Sequence, residues 1–459
     1  MDFLFPKFIA PASAQAFHIA DQLRGFETLP RSQQRQVQLL GLRALMRHAH
    51  AQSPFWQARL EAAGFVPSEM TDMSSFARLP LLTRAELQSG GAAMQARSPG
   101  MAEADISTAH TSGSTGRPVA VQRYMPLYGP LYRALGLLEN EWHGRDATQP
   151  LALIKDQAGN RVLPNWGPLQ RDLGQVGPAH CRNLIEHTAE ELLPWLQEVK
   201  PAYLVSTASM VERLANLALG QQSGPNPPLK QIITFGEAIK PSLRRLVQQA
   251  FGAVLVDRYS CEEAGWIAFQ CPKHPHYHVS SASVLVEILD EDGNACPPGK
   301  RGRVVITALH SFAMPLIRYA LGDYASWADA PEPCDCGRTL PVIETLWGRE
   351  RSFLRYPNGD LRLARLTGDH WREAAPINEY RVVQYADGEI EAFVSASRPL
   401  TADEIAASTA MLRRVLDIPV PIHVTQCEQI DWGGGWKKPD ILRLDRLRST
   451  PEARGSDTE

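Results

Sequence analysis

The run Thr111-Ser112-Gly113-Ser114-Thr115-Gly116-Arg117-Pro118 gathers four hydroxyl side chains, two glycines and a cation into eight positions. Glycine lets the backbone turn so that successive N–H groups converge on an anion, and the hydroxyls add donors. The Gly-Lys-Ser/Thr ending of a Walker loop is absent. A Ser/Gly linker would share this composition, so the run gains meaning only from what accompanies it. Gly236-Glu237 follows the apolar stretch Ile232 to Phe235, and Asp257-Arg258-Tyr259-Ser260-Cys261-Glu262-Glu263 follows a second one. Ligands of open α/β sheets sit beyond the carboxyl ends of strands, where both segments fall. There Tyr259 offers a ring to stack on a flat ligand, and Glu263 offers a hard oxygen for a divalent cation. Farther on, Arg318 to Asp323 carries a short carboxylate suited to a pair of neighbouring hydroxyls. Gly348-Arg349 marks a change of texture, and Gly433-Gly434-Gly435-Trp436-Lys437-Lys438 puts a lysine on a glycine loop. A lysine so carried can swing in to neutralise charge that develops during a reaction.

A separate group suits a metal. Cys271, His274, His276 and His278 precede Cys334-Asp335-Cys336. Two thiolates one residue apart, with a distant Cys and His, can close a tetrahedral zinc site that needs no open position. The expected ligands are Cys271, His278, Cys334 and Cys336, with His276 or His274 as substitutes for His278. The same residues could instead be free thiols and surface histidines. The other cysteines, Cys181, Cys261, Cys296 and Cys427, have no evident partners, and seven in all is an odd number for a disulfide framework.

The elements that must position these groups follow from periodicity. Residues 32–63 have helical spacing broken at Ser53-Pro54, and Thr83 can cap a helix carrying Glu86. Residues 107–118 are expected to be loop. From about 190 to 325, Val/Ile-rich strands alternate with helices, which indicates an α/β sheet with crossover helices. The predicted strands are 202–205, 231–234 and 254–257; the predicted helices are 209–219 and 241–251. Val284 to Leu289 and Gly302 to Thr307 would pair as a hairpin. Beyond Arg349, strands near 381–385, 388–394 and 422–427 with a helix at 401–416 predict a small α+β domain. The expected organisation is a large domain over 1–348, a small one over 349–447, and a disordered tail over 448–459.

With 459 residues, 44% of them hydrophobic and 21% charged, the chain can build more than one core. Lys plus Arg number 47 against 50 Asp plus Glu, a net charge of -3 that offers no field for nucleic acid. No apolar run is long enough for a membrane helix. Ala14-Gln15-Ala16 mimics a secretion cleavage site, yet no basic residues precede the apolar stretch and Pro6-Lys7 interrupts it. A cytoplasmic protein is expected.

The order and spacing of these segments, from about residue 35 to 445, resemble the adenylate-forming superfamily of acyl-CoA synthetases, adenylation domains and luciferases. The likeness is greatest to the phenylacetate-CoA ligase branch and its capsule-biosynthesis relatives. His48-Ala49, Ser53-Pro54-Phe55-Trp56 and Leu79-Pro80-Leu81-Leu82-Thr83-Arg84 resemble the opening helices of that branch. The resemblance implies a large ATP- and acid-binding domain with a mobile small lid. It implies activation of a small, aromatic carboxylic acid to acyl-AMP with Mg²⁺. Transfer would follow to a thiol of CoA or of an acyl carrier protein's phosphopantetheine, with an amine, hydroxyl or cofactor as alternative acceptors. Thr111, Ser112, Gly113, Ser114, Thr115 and Gly116 would cover the β- and γ-phosphates, and Gly236-Glu237 would border the adenine. Tyr259 would stack on it, Glu263 would bind Mg²⁺, and Asp323 and Arg349 would hold the ribose. Lys437, or its neighbour Lys438, would be the adenylating lysine. Trp166, Ser209 and Phe235 would wall the acid pocket. Ser260, Glu262 and Arg351 depart from the usual pattern, and a nucleotide-binding homologue without catalysis is the remaining alternative.

Overall fold

The computed structural model describes residues 9–111, 119–156, 158–220, 226–329, 333–364, 366, 368–396, 398–432, 440–444 and 446–448. Ser112 to Gly116, Lys437, Lys438 and residues 449–459 therefore lie outside the described residues. Backbone contacts divide the chain into two compact units, Met1–Leu346 and Trp347–Glu459.

Among the described residues a twelve-stranded sheet organises the first unit. Its centre is parallel: Ala179–Asn183, Leu151–Lys155, Tyr203–Ser206, Gln231–Phe235 and Val254–Cys261 lie side by side in that order. Parallel neighbours need crossovers, supplied by the helices Ala189–Val199, Ala208–Gly220 and Pro241–Phe251. Each buries residues at three- or four-residue spacing, such as Leu192, Leu193 and Leu196, or Met210, Val211 and Leu214. Gly252, at φ +64, ends the last of these helices, accepting the left-handed turn that a Cβ would disfavour. The sheet then turns antiparallel through Gly265–Gln270 and Tyr277–Val279. Val284–Leu289, Gly302–Ala308 and Tyr319–Trp327 form an antiparallel meander at its far end.

The helices Arg31–Gln52 and Pro54–Ala62 break at Ser53, as the Ser-Pro step predicts. They bury Leu42, Leu45, Met46, Trp56 and Leu60 against Val304, Ile306, Leu316 and Tyr319 of the meander. Thr83 caps the short helix Arg84–Ser89 by a capping box with Glu86. Just before it, Leu82 bridges to the strand at Tyr319: its N–H donates to the Arg318 carbonyl at 2.8 Å, and its carbonyl accepts from Ala320 at 2.9 Å.

Four elements differ from expectation. Ile106–His110 is a strand, not loop, and pairs with Ala120–Tyr124. The strand expected over 254–257 runs on to Cys261, because its polar residues alternate with apolar ones and the buried Asp257 is satisfied by Thr234 and Tyr277. The helix Pro11–Glu27 and the helix Met125–Trp142, with Pro130 inside it, were not anticipated; they pack through Ala16, Ala20 and Leu23 against Leu131, Ala134 and Leu138.

The second unit is α+β. Its sheet runs Ile422–Gln426, Ile390–Ala396, Ile377–Gln384, Ile441–Arg443. The helix Ala402–Leu416, started by a capping box between Thr401 and Glu404, covers a core of Val382, Ile390, Val394, Leu412 and Leu416. Among the described residues of the chain, no helix is long and apolar enough to cross a membrane.

Candidate active site

The carboxyl ends of the parallel strands gather the first set of side chains. Gly236 leaves the strand Gln231–Phe235 at φ +74, which a side chain would oppose. The turn delivers Glu237 to the start of the neighbouring crossover helix: its carboxylate accepts from Ser209 N–H at 2.8 Å and from Ser209 Oγ at 3.1 Å. A carboxylate there is favoured by the unpaired amides of a helix start. Phe235 is half-buried, and the ammonium of Lys155, at the carboxyl end of the strand next but one, lies 5.8 Å from its ring centre. Lys155 was not singled out from sequence.

The Trp166 indole donates to the Gln149 carbonyl at 2.9 Å and meets Tyr203 edge-on at 5.1 Å. Trp166 and Phe235 both pack on the apolar cluster of Ala202, Tyr203, Val205 and Ile233.

A second set lies around the turn that follows Val254–Cys261. Tyr259, buried in the strand, donates its hydroxyl to Asp323 at 2.9 Å. Glu263 is buried at the turn, and accepts from Tyr319 at 3.2 Å. The turn closes on Gly265, at φ +81, where an added Cβ would fall 2.8 Å from the Tyr128 hydroxyl. Only glycine fits that approach without displacement. Burial and the Glu263 charge push the Tyr319 phenol above its ordinary range, so it stays a donor.

Two arginines tie this turn to the strands that flank the hydroxyl-rich run. Arg84 reaches Glu263 at 3.5 Å and the Thr111 hydroxyl at 3.1 Å. The Thr111 N–H also donates to the Val119 carbonyl at 2.9 Å, and the Thr111 hydroxyl accepts from the Val119 N–H at 2.9 Å. Arg123, on the return strand, pairs with Glu262 at 3.5 Å and bonds to its carbonyl. Glu262 thus faces outward to Arg123, while Glu263 faces inward. Neither arginine was assigned a role from sequence, because their partners are 179 and 139 residues away along the chain.

Beneath these groups lie buried charges. Asp257 accepts from Thr234 at 2.6 Å and from Tyr277 at 2.8 Å, and burial raises its carboxyl to about 6. Burial would also raise Glu139, but Arg145 and Arg258 flank it and hold it well below the usual carboxylate range.

The Cys/His group converges within the first unit. Ligand atoms of Cys271, His276, His278 and Cys334 all lie within 4.8 Å of one another. Cys336 abuts this set, its sulfur 3.2 Å from His278 Nε2. His276 and His278 thus stand together in this set, and His274, bonded to Asp335 at 2.9 Å, lies beside it with Cys334 in reach. A hydrogen bond from Cys271 holds Cys336 well below the ordinary thiol range and raises Cys271 in turn. Burial lowers His276 to about 4, the neutral form a metal requires.

Glu237 and Ser209, Tyr259 and Asp323, and Glu263 with Thr111 are each brought together. Arg349, a residue of the second unit, ends the strand Val342–Arg349, which begins in the first.

Comparison with known proteins accords with this architecture. Residues 176–313 match the family model described as AMP-binding enzyme. A phenylacetate-coenzyme A ligase of Thermus thermophilus is 25% identical over 345 residues, covering 72% of this chain and 73% of its own. Over these stretches the chain is similar to AMP-binding enzymes and to phenylacetate-coenzyme A ligases. A phenylacetate-coenzyme A ligase of Pseudomonas putida is 23% identical over 333 residues, 67% of this chain and 70% of its own. The fold is shared with a crystal structure of 2-hydroxyisobutyryl-CoA ligase in the postadenylation state, at 20% identity and a TM-score of 0.69. That match covers 92% of this chain and 91% of the other.

Proposed function

We propose that the protein is an AMP-forming acid–thiol ligase. It joins a small aromatic carboxylic acid to ATP, giving acyl-AMP and pyrophosphate, and then passes the acyl group to the thiol of CoA with release of AMP. The observation that carries this reading is the meeting of Thr111, Arg84, Glu263 and Tyr319, with the Tyr259–Asp323 pair on the same strands, in a chain similar to phenylacetate-coenzyme A ligases. A phosphopantetheine thiol on a carrier protein is the alternative acceptor, since it presents the same nucleophile.

In this reading Tyr259 stacks on adenine, Asp323 and Arg349 take the ribose hydroxyls, and Gly236-Glu237 borders the base. Trp166, Ser209 and Phe235 wall the acid pocket. Thr111 to Gly116 hold the β- and γ-phosphates, and Lys437 neutralises charge at the α-phosphate. The small unit acts as a lid, exchanging Lys437 for a thiol path between the two half-reactions.

Glu263 fits a magnesium ion: it is a buried carboxylate, a hard-oxygen ligand, and its pairing with Arg84 at 3.5 Å is loose. Bound there with ATP, Mg²⁺ would offset phosphate charge. The Cys/His group fits zinc, with Cys271 and Cys334 as ligands and two further ones drawn from His276, His278 and Cys336. Four protein ligands make it structural rather than catalytic.

The test is ATP–pyrophosphate exchange over a panel of aryl, alkyl and amino acids. Exchange with arylacetates or benzoates is expected. No exchange with any acid would overturn the reading in favour of a nucleotide-binding homologue that does not catalyse.

A further inference from the structure

The guanidinium of Arg84 is held where the reading above needs cationic charge, yet its bonding there is incomplete. The arm that carries it is fixed from both sides. Leu82 is fully buried and bridged to the strand at Tyr319. Arg59 donates to the Leu81 carbonyl at 2.6 Å and pairs with Glu86 at 2.6 Å. The Thr83–Glu86 capping box sets the first turn. The Arg84 backbone therefore has little freedom, and only the side chain's outer torsions remain to adjust.

Among the described residues the guanidinium has three polar neighbours, Glu263, Thr111 and the Tyr319 phenol, for its five donors. One nitrogen meets Glu263 at 3.5 Å, the outer limit of a hydrogen bond, and another meets Thr111 at 3.1 Å. Nε is buried with no partner among the described residues. The side chain keeps a quarter of its surface exposed, whereas Glu263 keeps 3%. A planar fork with spare donors, open on one side and loosely paired on the other, is suited to a polyanion. A divalent cation arriving at Glu263 would repel the guanidinium from the carboxylate. Its donors would then turn towards the phosphate oxygens that the same cation accompanies.

We infer that Arg84 binds the β- and γ-phosphates of ATP and stays with the pyrophosphate as it leaves. In adenylation a carboxylate oxygen of the acid bonds to the α-phosphorus as the α–β bridging P–O bond breaks. The electron pair of that bond departs on pyrophosphate, and Arg84 donates to the oxygens that gain charge. The role rests on the adenylating function proposed above. It is confined to one half-reaction, because acyl-AMP has no β- or γ-phosphate.

Equilibrium dialysis with Mg²⁺ATP and, separately, with AMP tests this on the full chain. Arg84→Gln should weaken Mg²⁺ATP binding about tenfold, the scale of one lost charge-assisted phosphate contact, and leave AMP binding unchanged. Arg84→Lys should recover part of the loss. Thioester formation from synthetic acyl-AMP and CoA should proceed at the wild-type rate in Arg84→Gln. Equal weakening for ATP and AMP would make Arg84 a structural residue and overturn the inference; so would unchanged ATP binding. If Arg84→Gln fails to fold because Glu263 loses its counter-ion, Arg84→Gln/Glu263→Gln compared with Glu263→Gln carries the same comparison. Absence of pyrophosphate exchange in the wild-type protein would instead overturn the proposed function, which keeps the two failures distinct.

Discussion

Removing a single oxygen from Tyr259 separates two jobs that the ring performs. Tyr259→Phe keeps the aromatic face proposed to stack on adenine and deletes the hydroxyl that donates to Asp323 at 2.9 Å. A hydrogen bond to a charged acceptor contributes about 1.5–3 kcal/mol. Tyr259 is only 9% exposed, so little water can replace its side of the bond. Asp323, however, is half-buried and can recover part of its solvation. The low end of the range is therefore expected, about 1.4 kcal/mol, or a tenfold rise in the KM for ATP. In a pyrophosphate-exchange assay at saturating acid, kcat should change little, because the ribose carboxylate is remote from the α-phosphorus. A double-mutant cycle with Asp323→Ala should return a coupling of about 1 kcal/mol or more. Strict additivity, or an equal loss in kcat, would refute the claim that the hydroxyl works by orienting Asp323.

Lys437→Ala should lower acyl-adenylate formation about a hundredfold or more while sparing thioester formation from supplied acyl-AMP, since its charge acts in one half-reaction only; the two half-reactions assayed separately check this. The purified protein should hold about one equivalent of zinc by metal analysis, and Cys334→Ser should lower both metal content and melting temperature, because metal binding is also folding free energy. The Asp257 carboxyl is raised in the folded chain to about 6, so the fold favours its protonated form. That stability is complete below the ordinary carboxylate range and is lost as pH rises through about 6, by an amount of at most about 3 kcal/mol. The melting temperature of Asp257→Asn relative to wild type should therefore improve between pH 5 and pH 8; a constant difference would contradict it.

What the sequence disclosed and what it hid have physical causes. The crossover helices 208–220 and 241–251 were legible because one strand-length apolar run after another alternates with 3.6-residue spacing. The capping boxes at Thr83 and Thr401 were legible as the helix starts they make. The helix Met125–Trp142 was not, because Pro126 and Pro130 with Gly129 and Gly136 look like punctuation. The strand through Cys261 was cut short at Asp257 because Arg258 and the residues after it read as a polar turn, although Arg258 finds the buried Glu139 as a partner. Cys271 and Cys334 could be paired by type alone, but only geometry sets His276 and His278 together beside them. Arg84 stood in a segment noted for its likeness to a family, without a role. Its function rests on Thr111, 27 residues away, and Glu263, 179 away. No local pattern carries that information.

The central claim is that one chain runs two successive half-reactions through an acyl-adenylate. A single-turnover chase tests it most directly. Enzyme in excess over ATP is mixed with Mg²⁺ and the aryl acid that gives the fastest exchange, quenched, and analysed by mass spectrometry; CoA is added to a parallel sample before the quench. The account predicts acyl-AMP and pyrophosphate without CoA, and acyl-CoA and AMP after the chase, at matching yield. Formation of ADP, or thioester without any acyl-AMP preceding it, would contradict it.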